Sequence, residues 1–380
     1  MGSLRSMLRW SIPFVFLLVV DALPSRAALP RGLRKPVEQL RAVGREGSGN
    51  EAAGAAWRKV AAASPDVLPD VLGAMDGAND YALNWLRTAA EAIEQRARQE
   101  GRPLPVAKLE AFLKDTRHHP RARHLAFHVI SRADSGASAR LLPLFVQDPS
   151  NDLRREAVDR LVASATATAA KDKAAAVREY EAALGFAREA DQVDAIAKRL
   201  SDLGQKVDLQ AVFGWVTRWH LIGPFDNGGG SGFDKAFAPE SGFDAAAQAD
   251  GKKGRVSWVE HTTKSEYGLV DFNGPFGMLK EVTGYAHAEF WSDDARDAEV
   301  RLGCKNGWKV WVNGTLLFGR DEYHRNMEVD QYRMPVRLRK GRNEILVKCC
   351  QNEQTEEWTK EWEFQLRLTD AQGTPIRSSR

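Results

Sequence analysis

Glu299-Val-Arg-Leu-Gly-Cys-Lys-Asn-Gly-Trp-Lys-Val-Trp-Val-Asn-Gly-Thr-Leu-Leu-Phe318 is the stretch on which the reading of this 380-residue chain turns. Two Asn-Gly pairs, Asn306-Gly307 and Asn313-Gly314, bracket Trp308 to Val312. Asn-Gly takes the two positive φ values of a tight hairpin turn more readily than other pairs, so the pattern predicts three short antiparallel strands. Side chains alternate along a strand. Val300, Leu302 and Cys304 therefore share a face, as do Trp308, Val310 and Val312, while Lys309, Trp311 and Asn313 turn the other way. A ribbon with one apolar face and one mixed face, Trp311 on the latter, belongs at the centre of a β-sandwich.

Outward from this ribbon the period of 2 continues. Val216 to Phe225, Trp258-Val259, Leu269 to Phe272, Tyr285 to Trp291, Val336 with Leu338, and Ile345, Val347 and Cys349 are strand candidates. Trp362, Phe364, Leu366 and Leu368 alternate with Glu361, Glu363, Gln365 and Arg367, which predicts a last strand with one dry and one wet face. Asp226 to Gly232 opens a Gly-rich loop that runs with little pattern to Lys253. About eight short strands joined by turns indicate an antiparallel two-sheet jelly roll.

Upstream the period changes. From about Glu51 to Leu203 apolar residues recur at helical spacing, as in Leu83, Leu86, Ala90 and Ile93, and Ser64-Pro65, His119-Pro120 and Asp148-Pro149 punctuate the helices. Arg123, Ala126 and Ile130 recur 31 residues on as Arg154, Ala157 and Leu161, with Arg87 and Ala90 as a partial third copy. The expected fold class is a multidomain α then β chain. Its divisions are a signal peptide over 1–27, a linker over 28–50, helical repeats over 51–206, a β-sandwich over 207–374 and a tail over 375–380.

The signal-peptide reading rests on Arg5 and Arg9, the apolar run Ile12 to Val20 and the small-x-small site Ser25-Arg26-Ala27. That run is about half of the ~20 residues a spanning helix needs, so the expectation is an exported protein, periplasmic or extracellular, with no membrane span after cleavage. Loss of residues 1–27 removes three Arg and one Asp and brings the formal charge from +3 to +1. A nearly neutral protein offers no electrostatic case for nucleic acid. Cys304, Cys349 and Cys350 are the only cysteines, and an odd count makes no complete disulfide framework. One bridge from Cys304 to either neighbour, or three small buried hydrophobes on strands, are the readings left open.

Two resemblances follow from these residues. Asp148-Pro-Ser-Asn-Asp-Leu-Arg-Arg-Glu-Ala-Val-Asp-Arg-Leu161 resembles the second helix of a HEAT repeat, with Asp148, Leu153, Arg154, Ala157 and Leu161 at the family's positions, although Arg117 stands where a second Asp148 would. It implies stacked helix pairs that dock a protein partner. Trp219-His-Leu-Ile-Gly-Pro-Phe-Asp-Asn227, Tyr285-Ala-His-Ala, Lys309-Val-Trp-Val-Asn-Gly314 and Leu338-Arg-Lys-Gly-Arg-Asn-Glu-Ile-Leu-Val-Lys348 resemble galactose-binding-like jelly-roll domains, the sugar-binding modules of bacterial glycoside hydrolases and other exported bacterial proteins.

A sugar site needs an aromatic platform and planar polar groups at a sandwich edge or loop end. The candidates are Trp311, Trp258, Tyr323, Arg325, Asp330, Gln351 and Trp358. No cofactor and no metal are expected from any motif. Asp226, Asn227, Asp293 and Asp294 are the residues a structural calcium would use, and His118, His119, His124 and His128 read as solvated repeat surface. Nucleophile-elbow, zinc-protease and phosphate-loop motifs are absent, so the chain is expected to be non-catalytic. The alternatives are a glycoside hydrolase or lyase using loop carboxylates around Tyr323 and Asp330, Asp321 and Glu322 among them, and a purely structural interaction protein without a sugar site.

Overall fold

The computed structural model describes residues 29–380; the signal-peptide reading of 1–27 lies outside the described residues. The chain divides into two compact units, one ending at Ser135 and one running from Gly136 to Arg380. The first is helical: α1 (Arg31–Arg41), α2 (Asn50–Ala61), α3 (Leu68–Gly73), α4 (Asp80–Gln99), α5 (Val106–Lys114) and α6 (Pro120–Ala133). The stretch 28–50, read as a linker, thus holds α1, which buries Val37 and Leu40. The caps explain the boundaries. Asn79 accepts from the Ala82 amide at the start of α4, and Pro120 opens α6, where a missing N–H costs nothing.

The second unit begins with five helices, α7 (Ala137–Leu141), α8 (Asn151–Ala169), α9 (Lys173–Phe186), α10 (Ala190–Asp202) and α11 (Leu209–Phe213). Arg123 of α6 and Arg154 of α8 are both buried, and each donates to a preceding carbonyl, of Leu113 and Asp148 respectively. Arg87, the partial third copy, is instead exposed and pairs with Glu91 one turn on.

After α11 the chain turns to strands. A six-stranded antiparallel sheet has the order β4 (Val259–Thr262), β1 (Arg218–Asp226), β6 (Val282–Ser292), β11 (Gly341–Gln351), β8 (Gly307–Val312), β9 (Thr315–Arg320). A second holds β10 (Tyr332–Leu338), β7 (Arg296–Cys304), β12 (Glu363–Thr369) and β13 (Pro375–Ile376), with β5 (Val270–Asp271) also on β12. The hairpin β2 (Gln248–Gly251) and β3 (Gly254–Ser257) lies within the long loop, and a short helix, α12 (Asn273–Phe276), precedes β6. Alternate residues of the two sheets meet in one core: Leu221, Ala288, Ile345, Val347, Trp308 and Val310 from one, Val300, Leu302, Phe364, Leu366 and Leu368 from the other. This is sandwich-like packing, and period 2 is its cause.

Two expectations change here. Asn313-Gly314 is the expected hairpin, with φ of 52° and 78° and Val312 opposite Thr315. Asn306-Gly307 is not a hairpin, because β7 and β8 lie in different sheets. Asn306 is buried and spends its amide on the crossover, donating to Gln351 Oε1 and the Glu361 carbonyl and accepting from the Glu363 amide. The wet face expected for β12 is also covered: Gln365 and Arg367 are buried, and Arg367 lies under Phe213 and Trp215. Phe213 and Trp215 join a core shared with α8, α9 and α10.

Candidate functional site

Antiparallel registry gathers the loops that carry most of the candidate residues. Asp226 pairs with Val282, Val282 with Gln351, Cys350 with Gly307 and Trp308 with Arg320, so the loops leaving these positions share one end of the six-stranded sheet. Tyr323, Arg325, Gln351 and Trp358 come together there with Asn227, His324 and Asn352.

The floor of this end is densely hydrogen-bonded. Gln351 is fully buried and donates to the Thr359 and Glu361 carbonyls, while its Oε1 accepts from the Asn352 amide. Its side chain is thus spent on holding the floor together. Asn227, also buried, donates to Tyr323 Oη at 3.2 Å and to the Gln351 carbonyl at 3.0 Å. Burial pushes the Tyr323 pKa up, so the phenol stays protonated. Above this floor His324, at φ 57°, meets Asn352 Oδ1 through Nε2 at 2.7 Å and sets its ring edge-on to Trp358 at 5.3 Å between centroids. Trp358 is 61% exposed. Asn352 donates to Gln354 Oε1 at 3.0 Å, and the Gln354 amide returns a bond to Asn352 Oδ1. The result is an open indole beside a line of planar amides, the two kinds of surface a pyranose ring needs. At its margin Glu322 holds Arg320 and Arg325 at 3.0 and 3.1 Å.

Three candidates lie elsewhere. Asp330 lies on the far side of the second sheet with its side chain only 7% exposed, and accepts from Arg367 Nε, Arg367 Nη2 and Arg301 Nη1 at 2.6–2.7 Å. Burial raises its pKa, but the bonds and charges of the two arginines outweigh that and hold the carboxyl below its ordinary value. The Asp330 carboxylate is thus held between two arginines, away from the loop end that gathers Tyr323 and Trp358. Trp311 and Trp258 belong to the outer face of the six-stranded sheet, both half-buried. A transverse row crosses that face through Glu260, His220, His287, Leu346, Trp311 and Leu316. Phe243 of the long loop stacks flat on His287 at 3.7 Å and meets Trp258 edge-on at 5.1 Å, so Trp258 packs under a loop.

The proposed calcium quartet does not assemble. Asp226 and Asn227 adjoin the first residue of β6, whereas Asp293 and Asp294 follow its last, roughly 30 Å away at 3.3 Å per residue. Asp226 instead pairs with Lys252 at 3.0 Å, and that hydrogen bond holds its pKa below the ordinary value.

One buried cluster leaves little trace in the sequence. Lys348 is fully buried in mid-strand and donates to the Phe233 and Lys235 carbonyls and to Glu240 Oε1, which also accepts from Tyr285 Oη. Burial lowers the Lys348 pKa and Glu240 pulls it back up. Its only sequence signal is a lysine inside the run Ile345 to Cys350. The cluster fastens the long loop over the sheet.

No protein-family model and no curated protein sequence matches the chain. Among solved structures, an anti-sigma factor domain-containing protein from Clostridium clariflavum is similar over 43% of this chain and 44% of its own, at 14% identity and TM-score 0.25. A GH31 alpha-xylosidase from Xanthomonas citri is similar over 28% of this chain and 14% of its own, at 12% identity and TM-score 0.20. The chain thus spans less than half of each of these proteins. No helix among the described residues is long and apolar enough to cross a membrane.

Proposed function

We propose that this is an exported binding or scaffold protein whose β-sandwich, of galactose-binding-like jelly-roll kind, binds carbohydrate at the loop end around Trp358, and whose HEAT-like helices contact a protein partner. The observation that carries the reading is the exposed Trp358 indole held edge-on by His324 next to Asn352 and Gln354. Stacking supplies affinity for the apolar face of a sugar, and amides beside it select hydroxyl geometry. A glycoside hydrolase would need two carboxyl groups facing each other across ~5–9 Å, and Glu322 is already engaged by Arg320 and Arg325.

The test is a glycan-array screen of the whole protein followed by titration of each hit against variants. Trp358→Ala is expected to weaken binding at least tenfold, about 1.4 kcal/mol or more, with an unchanged thermal midpoint. Binding that survives Trp358→Ala and disappears in Trp311→Ala moves the site to the outer face of the sheet. Asp321→Ala with Glu322→Ala is expected to leave binding nearly intact, and loss of a measurable turnover in that variant would support the enzyme reading. Silence across the array favours the purely structural alternative.

A further inference from the structure

Cys304 closes β7 in one sheet and Cys349 lies in β11 of the other, and their sulfurs face each other across the core at 3.8 Å. Both are buried, and all three cysteines are free thiols. We propose that Cys304 and Cys349 are an oxidative cross-linking site, a pair that forms a single disulfide between the two sheets when the chain folds in the presence of a disulfide oxidant.

Three observations make the pairing selective. The alternation of β11 points Cys349 into the core and Cys350 away from it, where Cys350 meets Thr283 Oγ1 at 3.4 Å. Cys304 Sγ faces only Cys349 Sγ and the carbonyls of Asn306 and Glu363, so no other thiol among the described residues competes for it. A disulfide needs about 2.05 Å between sulfurs, so the pair must close by roughly 1.8 Å, a movement within reach of side-chain rotation.

The chemistry requires an external acceptor of two electrons, a small-molecule or protein disulfide such as oxidised glutathione. One cysteine thiolate attacks the glutathione disulfide and expels one glutathione thiolate, leaving a mixed disulfide. The second cysteine thiolate then attacks the protein sulfur of that mixed disulfide and expels the other. Two protein thiols lose two protons and two electrons, and one glutathione disulfide becomes two thiols. In the folded protein burial and the neighbouring Cys304 push the Cys349 thiol up, and neither sulfur is open to an oxidant. The bond therefore forms while the sheets are still parting or closing. Once made, it closes a ring over residues 304–349 that includes β8, β9, β10 and the Asp321 to Gln331 loop, so the wall of the proposed Trp358 site is tied to both sheets.

The experiment refolds the whole protein from denaturant with a mixture of oxidised and reduced glutathione, alkylates free thiols, and maps tryptic peptides. The expected product is Leu302–Lys305 joined to Cys349–Lys360, lighter by two hydrogens, with one alkylated thiol. The thermal midpoint of that product is expected to fall by roughly 5–10 °C on reduction. Cys350→Ala keeps the cross-link and Cys349→Ala abolishes it. A cross-link that persists in Cys349→Ala, a bridge confined to Cys349-Cys350, or three alkylated thiols after oxidative refolding each overturns the assignment. Because alanine replaces a small buried side chain at each site, circular dichroism of the reduced variants separates failure to fold from failure to cross-link.

Discussion

At position 287 a histidine on a central strand has no hydrogen-bond partner for either ring nitrogen among the described residues, and it lies flat against Phe243. Burial, reinforced by His220, lowers its pKa from 6.5 to about 4; Glu289 pulls the other way, and Arg342 and Glu344 complete the charged groups around it. The neutral ring is the one the fold accepts, so the unfolded chain takes up the proton first. Stability is undiminished above pH 6.5 and falls as the pH drops from 6.5 to about 4, by on the order of 3 kcal/mol in all. Thermal unfolding between pH 7 and 4 measures this, and His287→Phe, which keeps a ring against Phe243, is expected to flatten that part of the profile. Unchanged acid sensitivity in His287→Phe would assign the slope to other groups, such as the half-buried His261, whose pKa desolvation also lowers. None of this was legible in Tyr285-Ala-His-Ala, because alternation says which face a residue takes and not what folds over that face.

The element that departed furthest from its sequence pattern is β12. Its alternation of apolar and polar residues is real, but the polar face is covered by α11, Trp215 and the loop carrying Asp330. Arg367 and Arg301 are therefore buried with Asp330 between them, and Glu299 gives Arg301 a second partner at 2.8 Å. Removing the shared anion leaves the buried Arg367 guanidinium without a carboxylate partner and Arg301 with Glu299 alone. Asp330→Ala is expected to cost about 3–5 kcal/mol in urea unfolding, whereas Arg325→Ala, at an exposed ion pair, is expected to stay within about 0.5 kcal/mol. If Asp330→Ala unfolds like the parent but loses a glycan, Asp330 is a ligand contact after all. The sequence offered Asp330 and Arg325 as equals because both are polar residues in one insertion. Only the path of the chain between β9 and β10 separates them.

Across the molecule, the change from helical to alternating period falls near Val207 to Val212, and secondary structure follows it: α11 ends at Phe213 and β1 starts at Arg218. The packing divides elsewhere, after Ser135, because α8, α9 and α10 share a core with Phe213, Trp215, Tyr267 and Val329. A fragment of residues 136–380 is accordingly expected to unfold cooperatively. A fragment of residues 209–380 should be weaker by about 1.5–3 kcal/mol for each large apolar side chain it uncovers. Equal urea midpoints for the two fragments would contradict this division. The sequence by itself determined the local and repetitive features: helices then antiparallel strands, the Asn313-Gly314 hairpin, and which side chains of β7, β8, β11 and β12 enter the sandwich core. Each follows from a dihedral preference or a period carried by a few consecutive residues. Tertiary structure alone decided that Asn306-Gly307 crosses between sheets, that the polar face of β12 is dry, and that the calcium quartet is split along β6. It alone brought Trp358, His324 and Asn352 to one loop end and set Cys304 opposite Cys349. Those outcomes depend on which distant strand pairs with which and on what is laid over a finished sheet, and no short stretch of chain encodes either.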